Sequence, residues 1–167
     1  ETHLNNLNLH LAKKLYSAGL RYVEVGIESS SEEVLKDCKR FSIKKEKELD
    51  LVKAIEKIGI KVKTMFIYGM PTDNYKSCLD TLNFSKQINA TYSQFSIFTP
   101  YPGTPIYDTE YKNKILTKKF EDFTQWQLVF KHKNLSTENL KSLVKKSYKE
   151  YYLRSIWLLK YFKIYRL

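Results

Sequence analysis

The chain has 167 residues, 43% of them hydrophobic and 14% aromatic, which suits one domain with a genuine core and excludes a disordered polypeptide. The net charge of +11 is unevenly spread: residues 1–110 hold 15 basic and 14 acidic side chains, residues 111–167 hold 14 and 4. A near-neutral body followed by a basic appendage excludes a uniformly basic nucleic-acid binder.

Glu1, rather than Met, opens the chain, so part of the gene product is expected to precede it. Thr2-His3 reads as the end of a strand. Leu4, Leu7, Leu11, Leu15 and Ala18 recur at helical spacing, with Gly19 as the C-terminal cap. Arg21–Ser29 alternates Val23, Val25 and Ile27 with Glu24, Gly26 and Glu28, a strand with two distinct faces. In a barrel of parallel strands the aliphatic face would pack on helices and Glu24, Gly26 and Glu28 would point inward. Carboxylates there need a polar partner, such as a ligand's hydroxyls or amine. Alternatively, Glu24 is a solvated edge charge and Glu28 helps cap the next helix.

Ser29-Ser30-Ser31 followed by Glu32-Glu33 starts a helix that runs to about Arg40. A second helix spans about Lys44 to Ile58, with Leu51, Val52, Ile55 and Ile58 on one face and the K-K-E-K-E run solvated. Lys61–Tyr68 is the next strand, ending at Gly69-Met70-Pro71. Asp73 and Asn74 offer a cap to a helix over about Tyr75–Ile88, and Thr91–Thr99 is a further strand. Strand–helix–strand with Gly/Pro turns at both strand ends predicts a parallel α/β sheet, whose ligands lie at those ends.

The two cysteines, Cys38 and Cys78, both fall on helices and read as small core residues. They form no disulfide framework and no zinc spacing, so a reducing cytoplasm is expected. No signal peptide and no run of about 18 apolar residues is visible. His3, His10 and His132 are scattered and read as surface residues.

From Lys112 to Phe130 the chain is polar and aromatic, and Phe120, Phe123, Trp126 and Phe130 are expected to fold back over the sheet as a lid or plug. Ser136-Thr137-Glu138 opens a long C-terminal helix. Its basic aromatic end, W-L-L-K-Y-F-K-I-Y-R-L, suits docking on the body, a membrane surface or RNA.

Three pieces recur in a fixed order: G-I-E-S-S-S from Gly26 to Ser31, F-I-Y-G-M-P-T-D from Phe66 to Asp73, and F-S-I-F-T-P-Y-P-G-T-P-I-Y from Phe95 to Tyr107. Together they resemble the C-terminal half of a radical S-adenosylmethionine (SAM) domain. The closest type is the subgroup associated with cobalamin-binding domains, which includes magnesium-protoporphyrin monomethyl ester cyclase-like proteins. The resemblance covers about residues 1–107. The segments Asn134–Leu140 and Tyr151–Arg154 are similar to the C-terminal extension of the same proteins.

The resemblance implies the later strands of a partial (β/α)6 TIM-like barrel over residues 1–110 and an α-helical extension over 111–167. It implies SAM and a 4Fe–4S cluster as cofactors, with cobalamin in some relatives. Glu28 and Ser29 would lie beside the ribose and methionine portion. Phe66, Ile67, Tyr68 and Gly69 would contact adenine. The Ser96–Pro105 stretch, with Ser96 and Thr99, would close the adenine and substrate side.

The chain departs from the family at Ser30 and at Thr72-Asp73-Asn74, and above all in lacking the C-x3-C-x2-C motif that holds the cluster. The expected protein is therefore a portion of a radical SAM enzyme. Its partners would be the missing N-terminal half of the barrel, a small-molecule substrate and an electron donor such as flavodoxin or ferredoxin. A non-catalytic half-barrel subunit, and an RNA- or membrane-surface module built on the tail, are the alternatives.

Overall fold

The computed structural model describes residues 1–40 and 44–165. Four strands, β1 (Thr2–His3), β2 (Tyr22–Glu28), β3 (Lys61–Tyr68) and β4 (Tyr92–Ile97), pair in parallel in the order β1-β2-β3-β4. The alternation read from the sequence sets their faces. Val25, Ile27, Val62, Phe66, Tyr68, Phe95 and Ile97 join one hydrophobic cluster with residues from the helices α1 (Leu9–Ser17), α3 (Lys45–Ile58), α4 (Tyr75–Ile88) and α5 (Thr137–Tyr152). On the other face Glu24, Lys63, Met65 and Ile67 are half-buried. Helices on one face of a parallel sheet make this a segment of an α/β barrel with its inner face turned away from them.

Local chemistry fixes most element ends. Asn8 accepts from Leu11 N and starts α1, so the expected helix from Leu4 is instead a 3-10 turn, Leu4–Asn6, followed by α1. Ser31 caps the short α2 (Glu32–Asp37). Gly59, at φ 107°, closes α3. Asn74 with Ser77, and Ser136 with Asn139, form reciprocal caps that start α4 and α5. The expected single C-terminal helix breaks at Leu153–Arg154 into α5 and α6 (Ser155–Tyr165). The Arg154 guanidinium occupies the break: it donates to the carbonyls of Tyr151 and Lys86 and to Asn89 Oδ1. Of the tail motif, Arg166 and Leu167 lie outside the described residues.

Helix α5 covers the outer face of β4 and also closes its free edge. Tyr152 Oη accepts from Ser93 N (2.8 Å) and donates to Ser93 O (2.7 Å). Tyr148 Oη accepts from Phe95 N, and Gln125 O accepts from Ile97 N. Ladder groups that would otherwise invite another strand are thereby satisfied.

Glu48 and the aromatic lid differ from expectation. Glu48, in the charged run taken as solvated, is 3% exposed on α3. Burial pushes its carboxyl up to about 7, with Lys45 pulling the other way. A raised carboxyl pKa makes a stabilising contribution that is complete below the ordinary carboxylate range and is lost as pH rises toward 7. Glu48→Gln is therefore expected to be about 1 kcal/mol more stable than the parent near pH 8, and equal to it near pH 4. Urea melts at both pH values check this, and an equal gain at both would refute it.

The aromatic lid is the second correction. Phe120 and Trp126 are 76% and 59% exposed, and only Phe130 is fully buried. Phe130 packs with Tyr111, Val129 and Phe98 in a small second core at the end of β4. An isolated antiparallel bridge, Ile115 to Phe130, holds it together.

Candidate functional site

A cavity of about 490 Å³ opens at the C-terminal ends of β2 and β3, where the barrel's inner face meets the loops. Glu28, Arg40, Ile67, Met70, Phe98 and Ile106 line it, together with Cys38 and Glu110. Glu28 ends β2 at φ 68°, a conformation rare outside glycine, and the β2–β3 register shifts there. Its carboxylate folds back over Gly26: a methyl added at Gly26 would lie 2.6 Å from Glu28 Oε1. A glycine at 26 thus leaves the space that the carboxylate occupies. Arg40 Nη2 donates to the same oxygen at 2.9 Å, and Arg40 Nη1 meets His3 Nε2 at the end of β1. Burial pushes the Glu28 carboxyl up, and Arg40 opposes the shift. Burial, then Arg40, push the His3 imidazole down, so its ring nitrogen is suited to accept from the guanidinium.

The loop after β3 is clamped from two sides. Asp73 Oδ2 accepts from Gly69 N and Met70 N, and Asp73 Oδ1 from Ser77 Oγ. His132 Nδ1 accepts from Asn134 N and Leu135 N, so the proton lies on Nε2, which donates to Met70 O at 2.9 Å. His132 is therefore a buried structural residue, not the surface residue expected. Thr72 Oγ1, in the same loop, is buried with no hydrogen-bond partner.

Of the eight residues singled out by sequence, the cavity brings together Glu28 and Ile67. Ser29 turns the other way, its Oγ 3.3 Å from Thr81 Oγ1 on α4. Phe66 and Tyr68 have the opposite strand parity to Ile67. Phe66 stacks on Phe95, and Tyr68 bonds Ser147 Oγ at 2.7 Å beneath α5. Gly69 makes the turn at φ 79° against Leu140. Ser96 Oγ donates to Phe66 O, and Thr99 Oγ1 to Thr124 O.

Sequence reasoning missed Arg40 and Ile106, and it pointed to the stretches that hold Met70 and Phe98 without naming either as a site residue. Phe98 was within reach, since it has the same parity as Ser96. Arg40 carries no local signal, because only the turn after α2 brings it back to β2.

Among the described residues no three His, Cys, Asp or Glu side chains converge as a metal site. The chain has two cysteines, Cys38 beside the cavity and Cys78 buried in the core, and so does not supply the three thiolates of a C-x3-C-x2-C set. These residues do not fit an iron–sulfur cluster. They do fit an organic ligand with an apolar flat portion and hydroxyl, amine or carboxylate groups.

A parallel sheet with helices on one face and a cavity at its C-terminal strand ends defines part of an α/β barrel. Residues 1–85 match the Radical SAM superfamily, and the chain belongs to that family. An uncharacterized methyltransferase of Pyrococcus horikoshii is 32% identical over 160 residues, 95% of this chain and 35% of that protein. The bacteriochlorophyllide d C-12(1)-methyltransferase of Chlorobaculum tepidum is 28% identical over 74% of this chain and 27% of its own length. The chain thus spans about a third of the curated relatives it matches.

Among solved structures, the radical SAM methyltransferase TsrM from Kitasatospora setae, with cobalamin and a 4Fe–4S cluster bound, is one likeness. It superimposes with a TM-score of 0.57 at 23% identity, over 62% of this chain and 21% of that one. The Escherichia coli radical SAM enzyme coproporphyrinogen III oxidase gives 0.59 at 18% identity, over 90% and 30%. These two likenesses are of fold.

Proposed function

We propose that these residues are the C-terminal part of the catalytic barrel of a radical SAM methyltransferase that acts on a small molecule. The observation that carries this reading is Glu28, held on left-handed backbone over Gly26 and paired with Arg40 at the mouth of the cavity. When bound, SAM with its cluster supplies one-electron cleavage of a sulfonium carbon–sulfur bond, and cobalamin would supply a methyl carrier.

This chain's own residues bind and orient. The Glu28 carboxylate accepts from ligand hydroxyls or an ammonium group. Arg40 neutralises Glu28 and offers its remaining donors to a carboxylate. Ile67, Met70, Phe98 and Ile106 form apolar walls for the adenine ring and exclude water. The backbone at Phe66, Tyr68 and Gly69 is already bonded, to Ser96 Oγ, Phe98 N and Asp73 Oδ2, so these residues support the pocket from behind, while Ser29 and Thr99 hold the turns that shape it.

Cluster ligands come from polypeptide outside these 167 residues. That polypeptide is the N-terminal half of the barrel, and a flavodoxin- or ferredoxin-type donor supplies electrons. The test uses the full-length gene product, reconstituted anaerobically with iron and sulfide. Equilibrium dialysis with SAM should show Glu28→Gln binding at least about tenfold more weakly, and 5′-deoxyadenosine released on reduction should fall in step. Unchanged SAM affinity in Glu28→Gln would overturn the assignment of this cavity.

A further inference from the structure

Helix α6 docks by one face. Trp157 Nε1 donates to Thr91 O, and Lys160 Nζ reaches Glu56 Oε2 and Asn89 O. The opposite face leaves Ile156, Leu159 and Phe162 at 59%, 70% and 48% exposure. Leu153, the exposed residue that ends α5, lies in an open groove of about 720 Å³ with Lys145, Lys146, Lys149 and Arg154 and with the ion-paired Lys86 and Glu150. Lys141, Lys145 and Lys149 repeat every fourth residue along the exposed side of α5 and lead to Leu153. Lys145 and Lys149 make no ion pair among the described residues.

We propose that the exposed apolar row of α6, with the lysines of α5 that lead through Leu153 into it, is a docking surface for an anionic lipid bilayer. Aliphatic side chains beside a lysine row match the boundary between acyl chains and acidic headgroups. No described helix is long and apolar enough to cross a membrane, so the contact is peripheral. RNA would want stacking platforms, yet Trp157 is turned inward onto Tyr152 and the body, and the exposed row is mostly aliphatic.

The test is co-sedimentation of the 167-residue chain with phosphatidylglycerol-rich vesicles and with phosphatidylcholine vesicles. Binding is expected to the first alone, and to fall steeply between about 50 and about 300 mM salt. Ile156→Asp with Leu159→Asp should reduce the bound fraction at least about tenfold. Lys145→Glu with Lys149→Glu should reduce it by about fivefold or more per lysine. All four positions are exposed, and circular dichroism verifies that the variants fold. No binding to phosphatidylglycerol vesicles, or equal binding by the variants, would overturn the proposal. So would a dimer in sedimentation velocity that Leu159→Asp abolishes without vesicle binding, which would assign the face to a second copy. Failure of the full-length gene product to bind vesicles that the chain binds would assign it to another stretch of the same polypeptide.

Discussion

Gly69→Ala is expected to destabilise the fold by about 2–4 kcal/mol. Two independent terms add. Gly69 sits at φ 79°, where an alanine costs about 1–2 kcal/mol. The new methyl would also lie 3.1 and 3.2 Å from the two methyl carbons of Leu140, which is fully buried at the start of α5. Relief requires α5 to move outward or the β3 loop to move inward. The second option displaces Met70 from the cavity and strains the His132 clamp. A double-mutant cycle separates the terms. Leu140→Ala alone should cost about 3 kcal/mol through its cavity, and the double variant should cost clearly less than the sum of the singles. Urea denaturation reads all four proteins. A Gly69→Ala loss below about 0.5 kcal/mol would show that the turn is not held as described.

Tyr152→Phe should cost about 2–3 kcal/mol and make the protein self-associate. The hydroxyl both accepts from Ser93 N and donates to Ser93 O, and Ser93 is 2% exposed. Phenylalanine keeps the ring contacts with Trp157 and Tyr151 but leaves both backbone groups unpaired on an edge strand. Tyr148→Phe removes one longer bond, 3.2 Å to Phe95 N, and should cost about half as much. Denaturant midpoints give the order, and concentration-dependent light scattering reports the exposed edge. Equal and small effects from both substitutions would mean that the edge is not sealed by hydroxyls.

Most of what depended on near neighbours was legible in the chain, the exception being the Asn8 cap that splits the first expected helix. Alternation from Tyr22 to Glu28 and from Lys61 to Tyr68 set strands and faces, because side chains in an extended chain point to opposite sides in turn. Caps at Ser31, Asn74 and Ser136 and stops at Gly19 and Gly59 were readable because a cap bonds within three or four residues. The three ordered motifs carried the family and pointed to the strand ends where the cavity opens. The same alternation that turns Ile67 inward also turns Phe66 and Tyr68 outward, which the motif alone does not say.

What needed the tertiary structure was every contact made at long sequence separation. Arg40 meets Glu28 and His3 only because α2 returns the chain across the strand ends. His132 reaches Met70 only because the segment before α5 passes over the β3 loop. Glu48 is buried only because α3 packs with neighbours that its own charged run does not reveal. The tyrosines of α5 seal β4 only because that helix occupies the outer face. Sequence spacing specifies local hydrogen bonds and periodic faces, whereas partners brought together by chain reversal are selected by packing of the whole domain.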